Sequence, residues 1–311
     1  MRAFLFPGQG SQAPGMGRGL SDASAPARRV FDDVDAALGE PLSSLMFEGP
    51  AERLTLTENA QPALMAVSIA ALRALEDAAG RRLADLAAYV AGHSLGEYSA
   101  LVAAGSLDLG DGARLLRRRG QAMQAAVPAG EGAMAALLGL ELAEIEAVVA
   151  GLDAGVCAVA NDNAPGQVVI SGARPAVERA VADAKEAGAR RSLLLDVSAP
   201  FHCPLMAPAA EAMAVALAEV ELRAPAVPVV TNVTAGPETD ADRVCALLVQ
   251  QVTGRVRWRE SLLALWDLGV REYVELGAGK VLTGLVKRTL PDARALALQT
   301  PDDIAGFVEA A

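Results

Sequence analysis

The sequence predicts an α/β fold: a large domain built on a parallel sheet, with a small βαββαβ domain inserted into it. Three observations predict this. Strand-like and helix-like segments alternate along most of the chain, the pattern of a parallel sheet covered by helices. A serine bounded by glycines, in "GHSLG" at 92–96, lies between a strand-like and a helix-like run. A compact stretch from 133 to 197 reads as strand, helix, strand, strand, helix, strand.

Taken in order, "AFLF" at 3–6 is a short buried strand ending in the turn "PGQGSQ". The segment 57–80 reads as a helix, with Thr57 as its capping residue and Gly80 as its stop. "AYVAG" at 88–92 is a second strand, and the residues after Ser94 have helical periodicity. Next come a strand at 133–138, a helix at 141–150, strands at 155–160 and 167–172, a helix at 174–187 and a strand at 191–197. That order is ferredoxin-like and can close on itself. It puts a small domain at 128–198 inside a discontinuous large domain, 1–127 and 199–311. No repeat or low-complexity tract interrupts the pattern.

The chain has 311 residues, 52% of them hydrophobic, enough apolar surface for a sizeable core. A net charge of −11 argues against nucleic acid and against an anionic membrane surface as partners. Cys157, Cys203 and Cys245 are odd in number and widely spaced, which indicates neither a disulfide framework nor a zinc site. The first apolar run is short and broken by Pro7-Gly8, unlike a secretion signal. The longest apolar stretch, "ALMAVSIAAL" at 63–72, is about half a membrane span. A cytoplasmic protein is expected.

"G-H-S-L-G" fits the nucleophile elbow of α/β-hydrolase-like domains, in the required strand-to-helix context. Such a turn lifts the Ser94 hydroxyl to a helix N-terminus, where free N–H groups can stabilise an oxyanion. The bland alternative is an ordinary glycine-rich turn. The chain has two histidines to serve as base. His93 adjoins the serine and would have to fold back on it. His202 sits in a proline-bounded loop where the chain re-enters the large domain, and is favoured. No acid is obvious as a third member: Asp196 ends a predicted strand, and a carbonyl could orient the imidazole instead. Cys203, beside His202, is a poor rival nucleophile.

In "GARLLRRRGQAMQ" (112–124), Arg114, Arg117 and Arg118 share one helix face, which reads as solvated. Arg119 falls with Leu115, Leu116 and Met123 on the apolar face. A buried guanidinium needs a carboxylate, either a structural one or one on a substrate. Two parallel hydrogen bonds would then join Arg119 to that group.

Nine segments, in order, resemble the malonyl-CoA:acyl carrier protein transacylase family. They are "FPGQGSQ" (6–12), "TENAQPAL" (57–64), "GHSLGEYSAL" (92–101), "RRGQAMQ" (118–124), "NDNAPGQVVISG" (161–172), "FHCPLM" (201–206), "VVTNVTA" (229–235), "LLVQQVTGRVRW" (247–258) and "ELGAGKVLTGLVKR" (275–288). The family spans fatty-acid enzymes and discrete trans-acting acyltransferases of polyketide synthases, and the 161–172 and 250–258 segments look more like the latter. The resemblance implies a ping-pong transfer of malonyl from malonyl-CoA to the phosphopantetheine thiol of an acyl carrier protein or polyketide carrier domain. It implies a monomer with no metal or redox cofactor. Ser94 would be the nucleophile, His202 its base, and the N–H groups of Gln9 and Leu95 the oxyanion hole. Arg119 would hold the malonyl carboxylate and the main-chain carbonyl of Gln251 would orient His202. Gln61 and Asn232 would stand behind these groups. Leu95 and Phe201 go with malonyl rather than methylmalonyl, Phe201 crowding an α-methyl.

Other readings compete. An editing hydrolase of the same fold tends to lack the arginine, and an ordinary esterase explains neither Arg119 nor the insertion. "GQGSQA" (8–13) matches a dinucleotide-binding fingerprint, though a lone match is weak. An acidic carrier needs a basic patch, for which Arg114/Arg117/Arg118, Arg255/Arg257/Arg259 and Lys287/Arg288 are candidates.

Overall fold

The computed structural model describes residues 1–153 and 155–310. Ten strands form two sheets: β1 Arg2–Phe6, β2 Tyr89–Gly92, β3 Gly132–Leu138, β4 Cys157–Ala164, β5 Gln167–Ala173, β6 Arg191–Leu194, β7 Val229–Val230, β8 Pro237–Glu238, β9 Glu272–Leu276 and β10 Arg294–Leu298. The larger sheet runs β10-β9-β1-β2-β7-β8, parallel except for β8 at its edge. Central β1 has Ala3, Phe4, Leu5 and Phe6 fully buried, because helices cover both faces and every side chain meets a core.

The helix Thr57–Ala79 supports this sheet, with an unbroken buried run from Asn59 to Leu72. It is apolar nearly all round, as a helix enclosed on every side must be. Gly80 stops it at φ 62°, in the left-handed conformation expected of that position. The start differs from expectation. Thr57 lies inside the helix and caps nothing; its hydroxyl accepts from Gln61 Nε2 (3.0 Å) and donates to Gln9 Oε1 (3.1 Å).

The smaller sheet is wholly antiparallel, in the order β4-β5-β3-β6. The helices Leu142–Ala150 and Arg174–Glu186 complete a ferredoxin-like unit around Leu137, Ile145, Ile170 and Val177. Its last strand is shorter than the predicted 191–197. After Leu194 the chain turns, with Leu195 N–H on Met134 and Val197 N–H on Leu195, and runs along a cleft. Asp196 is therefore an exposed loop residue rather than a strand end. In the opposite sense, β4 extends to Ala164 through two register shifts.

That extension fastens the two sheets' domains. Asp162 N–H bonds Val256 O (3.0 Å) and Val256 N–H bonds Ala160 O (2.8 Å), so the 255–257 segment adds a short edge to β4. Arg255 pairs with Glu146 (2.6 Å), and Arg259 with the buried Asp162 (2.9 Å). Two of the three arginines suggested as a carrier patch are thus inter-domain ties, and Arg257 pairs with Glu260. Arg114, Arg117 and Arg118 are likewise engaged, with Asp111, Glu40 and Glu219. Among the described residues no helix is long and apolar enough to cross a membrane.

Burial raises the Asp162 pKa while Arg259 lowers it. Removing the cation leaves a buried carboxylate unpaired. Arg259→Met should therefore destabilise the protein by about 3 kcal/mol at neutral pH. The deficit should shrink on acidification, because a protonated Asp162 needs no counter-charge. Urea unfolding at pH 7 and pH 5 measures both effects.

Candidate active site

Ser94 occupies the turn between β2 and the helix Gly96–Ala103, at φ 53°. A Cβ on Gly92 would overlap the Gly96 carbonyl, and one on Gly96 would overlap that of Phe6. Only glycines allow so tight a reversal against β1. Holding a serine in this conformation costs about 1–3 kcal/mol, so its surroundings must fix it. They do so on both sides: Asn232 Oδ1 accepts the Ser94 N–H (2.7 Å), and Gln251 Nε2 donates to the Ser94 carbonyl (3.0 Å).

His202 is the second positive-φ residue of the site, at 58°. Its Nε2 lies 2.7 Å from Ser94 Oγ and its Nδ1 lies 2.9 Å from the main-chain carbonyl of Gln251. A carbonyl only accepts, so Nδ1 carries the proton and Nε2 presents a lone pair to the hydroxyl. Burial first, and the Arg119 charge second, push the His202 pKa down to about 3. The imidazole is neutral at pH 7. His93 faces elsewhere: its Nε2 meets Asn163 Oδ1 (2.8 Å), and its ring packs edge-on against Trp258. Cys203 is buried, with its thiol donating to Pro200 O (3.1 Å).

Arg119 is buried, as its position on the apolar face predicts. Its Nη1 donates to Gln61 Oε1 (2.7 Å), and its Nη2 to Gln251 Oε1 (2.8 Å) and Ser94 Oγ (3.2 Å). Its Nε–H has no acceptor, and no carboxylate oxygen of the described residues lies within 4.0 Å of the guanidinium. Of the two partners left open by the sequence, the structural carboxylate is therefore absent among them. The acidic groups that influence it are Tyr98 and then Glu97, whose pKa burial raises to about 7 against the pull of two hydrogen bonds and Arg119.

These groups open onto a cavity of about 370 Å³ between the two domains. Gln9 and Leu95 line it beside Ser94, and neither N–H donates to another group among the described residues. Gly8 lets the Gln9 loop come this close, since a Cβ there would stand 2.8 Å from His93 O. No helix follows β1 directly, the next being Arg18–Ala23, so the 8–13 glycines serve this approach rather than a dinucleotide turn. Phe201 stands next to His202 on the cavity wall, while Asp196 lies at its edge without a bond to His202. Val281, Leu282 and Leu285 form another wall, on the helix that carries Lys287 and Arg288.

Gln9, Gln61, Ser94, Leu95, Arg119, Phe201 and His202 line this one cavity, while Asn232 and Gln251 stand behind it, bonded to the Ser94 backbone. Sequence reasoning missed Thr57 as a tether, Asn163 as the His93 partner, and Glu97. A signal for Glu97 existed: it is the one charged residue of a wholly buried eight-residue helix.

Fold and site together define an acyltransferase, and the family model described as the acyl transferase domain matches residues 3–304. The malonyl CoA-acyl carrier protein transacylase of Bacillus subtilis (strain 168) is 46% identical over 97% of this chain and 94% of its own. The structure of an acyl-carrier-protein S-malonyltransferase from Bartonella henselae superposes with a TM-score of 0.97, at 54% identity, over 99% of this chain and 98% of that one. A malonyl-transacylase solved in complex with its type II polyketide acyl-carrier protein gives 0.96 at 41%, over 100% and 99%. The chain belongs to the malonyl CoA-acyl carrier protein transacylase family.

The depressed His202 pKa has a consequence for stability. Between pH 6.5, the ordinary value, and about 3, the unfolded chain takes up a proton that the folded one does not. This residue's contribution to stability therefore falls as pH falls through that window. His202→Gln should gain stability relative to the wild type, by about 2 kcal/mol between pH 6.5 and 5. Urea unfolding of both proteins across that range checks it; a constant difference would mean an imidazole that titrates normally.

Proposed function

We propose that this protein transfers a malonyl group from malonyl-CoA to the phosphopantetheine thiol of an acyl carrier protein, through a malonyl ester on Ser94. The observation that carries this reading is the shared hydroxyl. Ser94 Oγ lies within hydrogen-bond reach of both a neutral imidazole and a guanidinium that lacks a carboxylate partner among the described residues.

In the first half-reaction Ser94 Oγ attacks the thioester carbon while His202 Nε2 takes its proton. The Leu95 N–H, at the tip of the helix Gly96–Ala103, and the Gln9 N–H, in the loop after β1, receive the oxyanion. Collapse expels the CoA thiolate, which takes the proton back from His202. The carrier thiol then gives its proton to His202, attacks the ester and frees Ser94 as its own proton returns. Arg119 holds the malonyl carboxylate throughout. Acyl groups without that carboxylate leave the guanidinium buried and unpaired, a penalty of the kind that separates substrates strongly. Phe201, beside the base, restricts an α-methyl group. No metal or redox group takes part in these steps. The malonyl-transacylase solved with a polyketide carrier is 41% identical, against 54% for the Bartonella henselae structure, so the carrier is assigned only by class.

Lys287 and Arg288 stand exposed in the last turn of the helix Val281–Thr289, whose earlier residues line the cavity, with no carboxylate partner among the described residues, and Arg288 reaches only Gln167 Oε1 (2.7 Å). The other two basic clusters are neutralised by ion pairs. An acidic carrier therefore docks best here.

Ser94→Ala should abolish the intact-mass gain that malonyl-CoA produces. Arg119→Ala should slow malonyl transfer about a hundredfold or more, two charge-assisted hydrogen bonds being lost, and acetyl transfer far less. Equal losses for the two acyl groups would make the arginine structural. Reversing Lys287 and Arg288 to Glu should weaken carrier transfer about tenfold and leave self-acylation unchanged; if carrier transfer survives, docking lies elsewhere.

A further inference from the structure

Beneath the nucleophile lies a carboxyl group that no step of the reaction uses. Glu97 sits in the first turn of the helix Gly96–Ala103, 1% exposed. Among the described residues no arginine or lysine nitrogen comes within 4.0 Å of it. One of its oxygens, Oε2, accepts from the main-chain N–H of Asn232 (3.0 Å) and from Nε2 of Gln251 (2.8 Å), whereas Oε1 has no partner. These two donors belong to the two residues that brace the Ser94 backbone, Asn232 on its N–H and Gln251 on its carbonyl. The same Gln251 amide turns its oxygen to Arg119. Rotating that amide by half a turn would face its oxygen against the Ser94 carbonyl and Glu97, and its N–H₂ against the guanidinium. Every contact would become acceptor on acceptor or donor on donor.

The geometry points to Glu97 as a positioning residue for acyl transfer: one carboxyl oxygen, acting as a hydrogen-bond acceptor, fixes Asn232 and Gln251 and, through them, Ser94 and Arg119. The inference rests on Ser94 as nucleophile and Arg119 as carboxylate clamp. It requires an acceptor and no charge. A carboxyl protonated on the unpartnered Oε1 still offers Oε2 to both N–H groups, and burial favours that neutral form.

Two mild substitutions separate acceptor from charge. Glu97→Gln keeps an oxygen where Oε2 stands and removes the charge. Glu97→Asp keeps the acid but withdraws the oxygen by one methylene. Self-acylation by malonyl-CoA and by acetyl-CoA, followed by intact mass, gives kcat/KM for each variant, with Tm recorded alongside. We expect Glu97→Gln to keep the malonyl rate and the malonyl-over-acetyl preference within about threefold of the wild type. Glu97→Asp should lose about tenfold or more in both, as the Gln251 amide and the guanidinium lose their fixed direction. The opposite order would make Glu97 an electrostatic counter-charge and overturn the inference. So would a fall in Tm for both variants with rate and preference unchanged. Ser94→Ala and Arg119→Ala are measured in the same assay. If the first still takes up malonyl, or the second keeps its preference, the underlying reading has failed, and the inference falls with it.

Discussion

Gln251 holds together the groups proposed to react, and the rest of the site depends on it. Its main-chain carbonyl accepts from His202 Nδ1, its side-chain oxygen from Arg119 Nη2, and its N–H₂ donates to the Ser94 carbonyl and to Glu97. Its place in the fold makes this possible. Gln251 lies in the last turn of the helix Ala241–Thr253, which ends at Gly254. The last four carbonyls of a helix have no intrahelical donor, so this one is free to receive the imidazole. The same helix end carries partial negative charge, which would favour the imidazolium if His202 takes the proton as proposed. In the proposed transfer, a carbonyl with this setting would do part of the work a triad carboxylate does elsewhere, without placing a full negative charge beside the malonyl group.

Avoiding that charge matters because of Arg119. A guanidinium held by two amide oxygens and a hydroxyl stays cationic, but its electrostatic demand is unmet. Burial lowers its pKa, and nearby Tyr98 and Glu97 only partly oppose this. Glu97 is separated from it by the Gln251 amide, close enough to be felt and too far to pair. The arrangement leaves Arg119 more favourably matched with an incoming carboxylate than without one. It also depresses the basicity of His202, since the Arg119 charge is a cause of its low pKa. In the proposed transfer, a carboxylate on Arg119 would offset that charge and strengthen the base, so that one cation would link binding to chemistry.

How much of this was legible in the sequence depends on whether a residue's role leaves a local pattern. The elbow did, because glycines flanking a serine between strand and helix have a steric reason to be there. Arg119 did, because helical spacing set it among leucines. His202 emerged by scarcity. Thr57 misled, since a threonine ahead of an apolar run is a helix-start signal, and its tie to Gln9 depends on a loop 48 residues earlier. The arginines of the proposed patches misled for a related reason. Pairs such as Arg255 with Glu146 and Arg118 with Glu219 join residues about a hundred positions apart, so a paired arginine and a free one look alike in sequence. Asn232, Gln251 and Gln61 carry no local pattern, and were placed only through likeness to a family. The alternation that revealed the fold says nothing of which buried amide faces which.

The two residues proposed to react share a further trait. Three non-glycine residues among those described have positive φ, and Ser94 and His202 are two of them. Neither conformation is favourable alone, at about 1–3 kcal/mol each. Both are retained because contacts from separate parts of the chain over-determine them. Asn232 and Gln251 come from segments more than a hundred residues after the elbow, and the carbonyl that fixes His202 comes from 49 residues after it. A site relaxed into ordinary backbone geometry would turn Oγ away from Nε2 or the imidazole away from the cavity. The strain is therefore a consequence of aiming two side chains at one point from a sheet edge and a loop, and the large domain's core supplies the stability that maintains it.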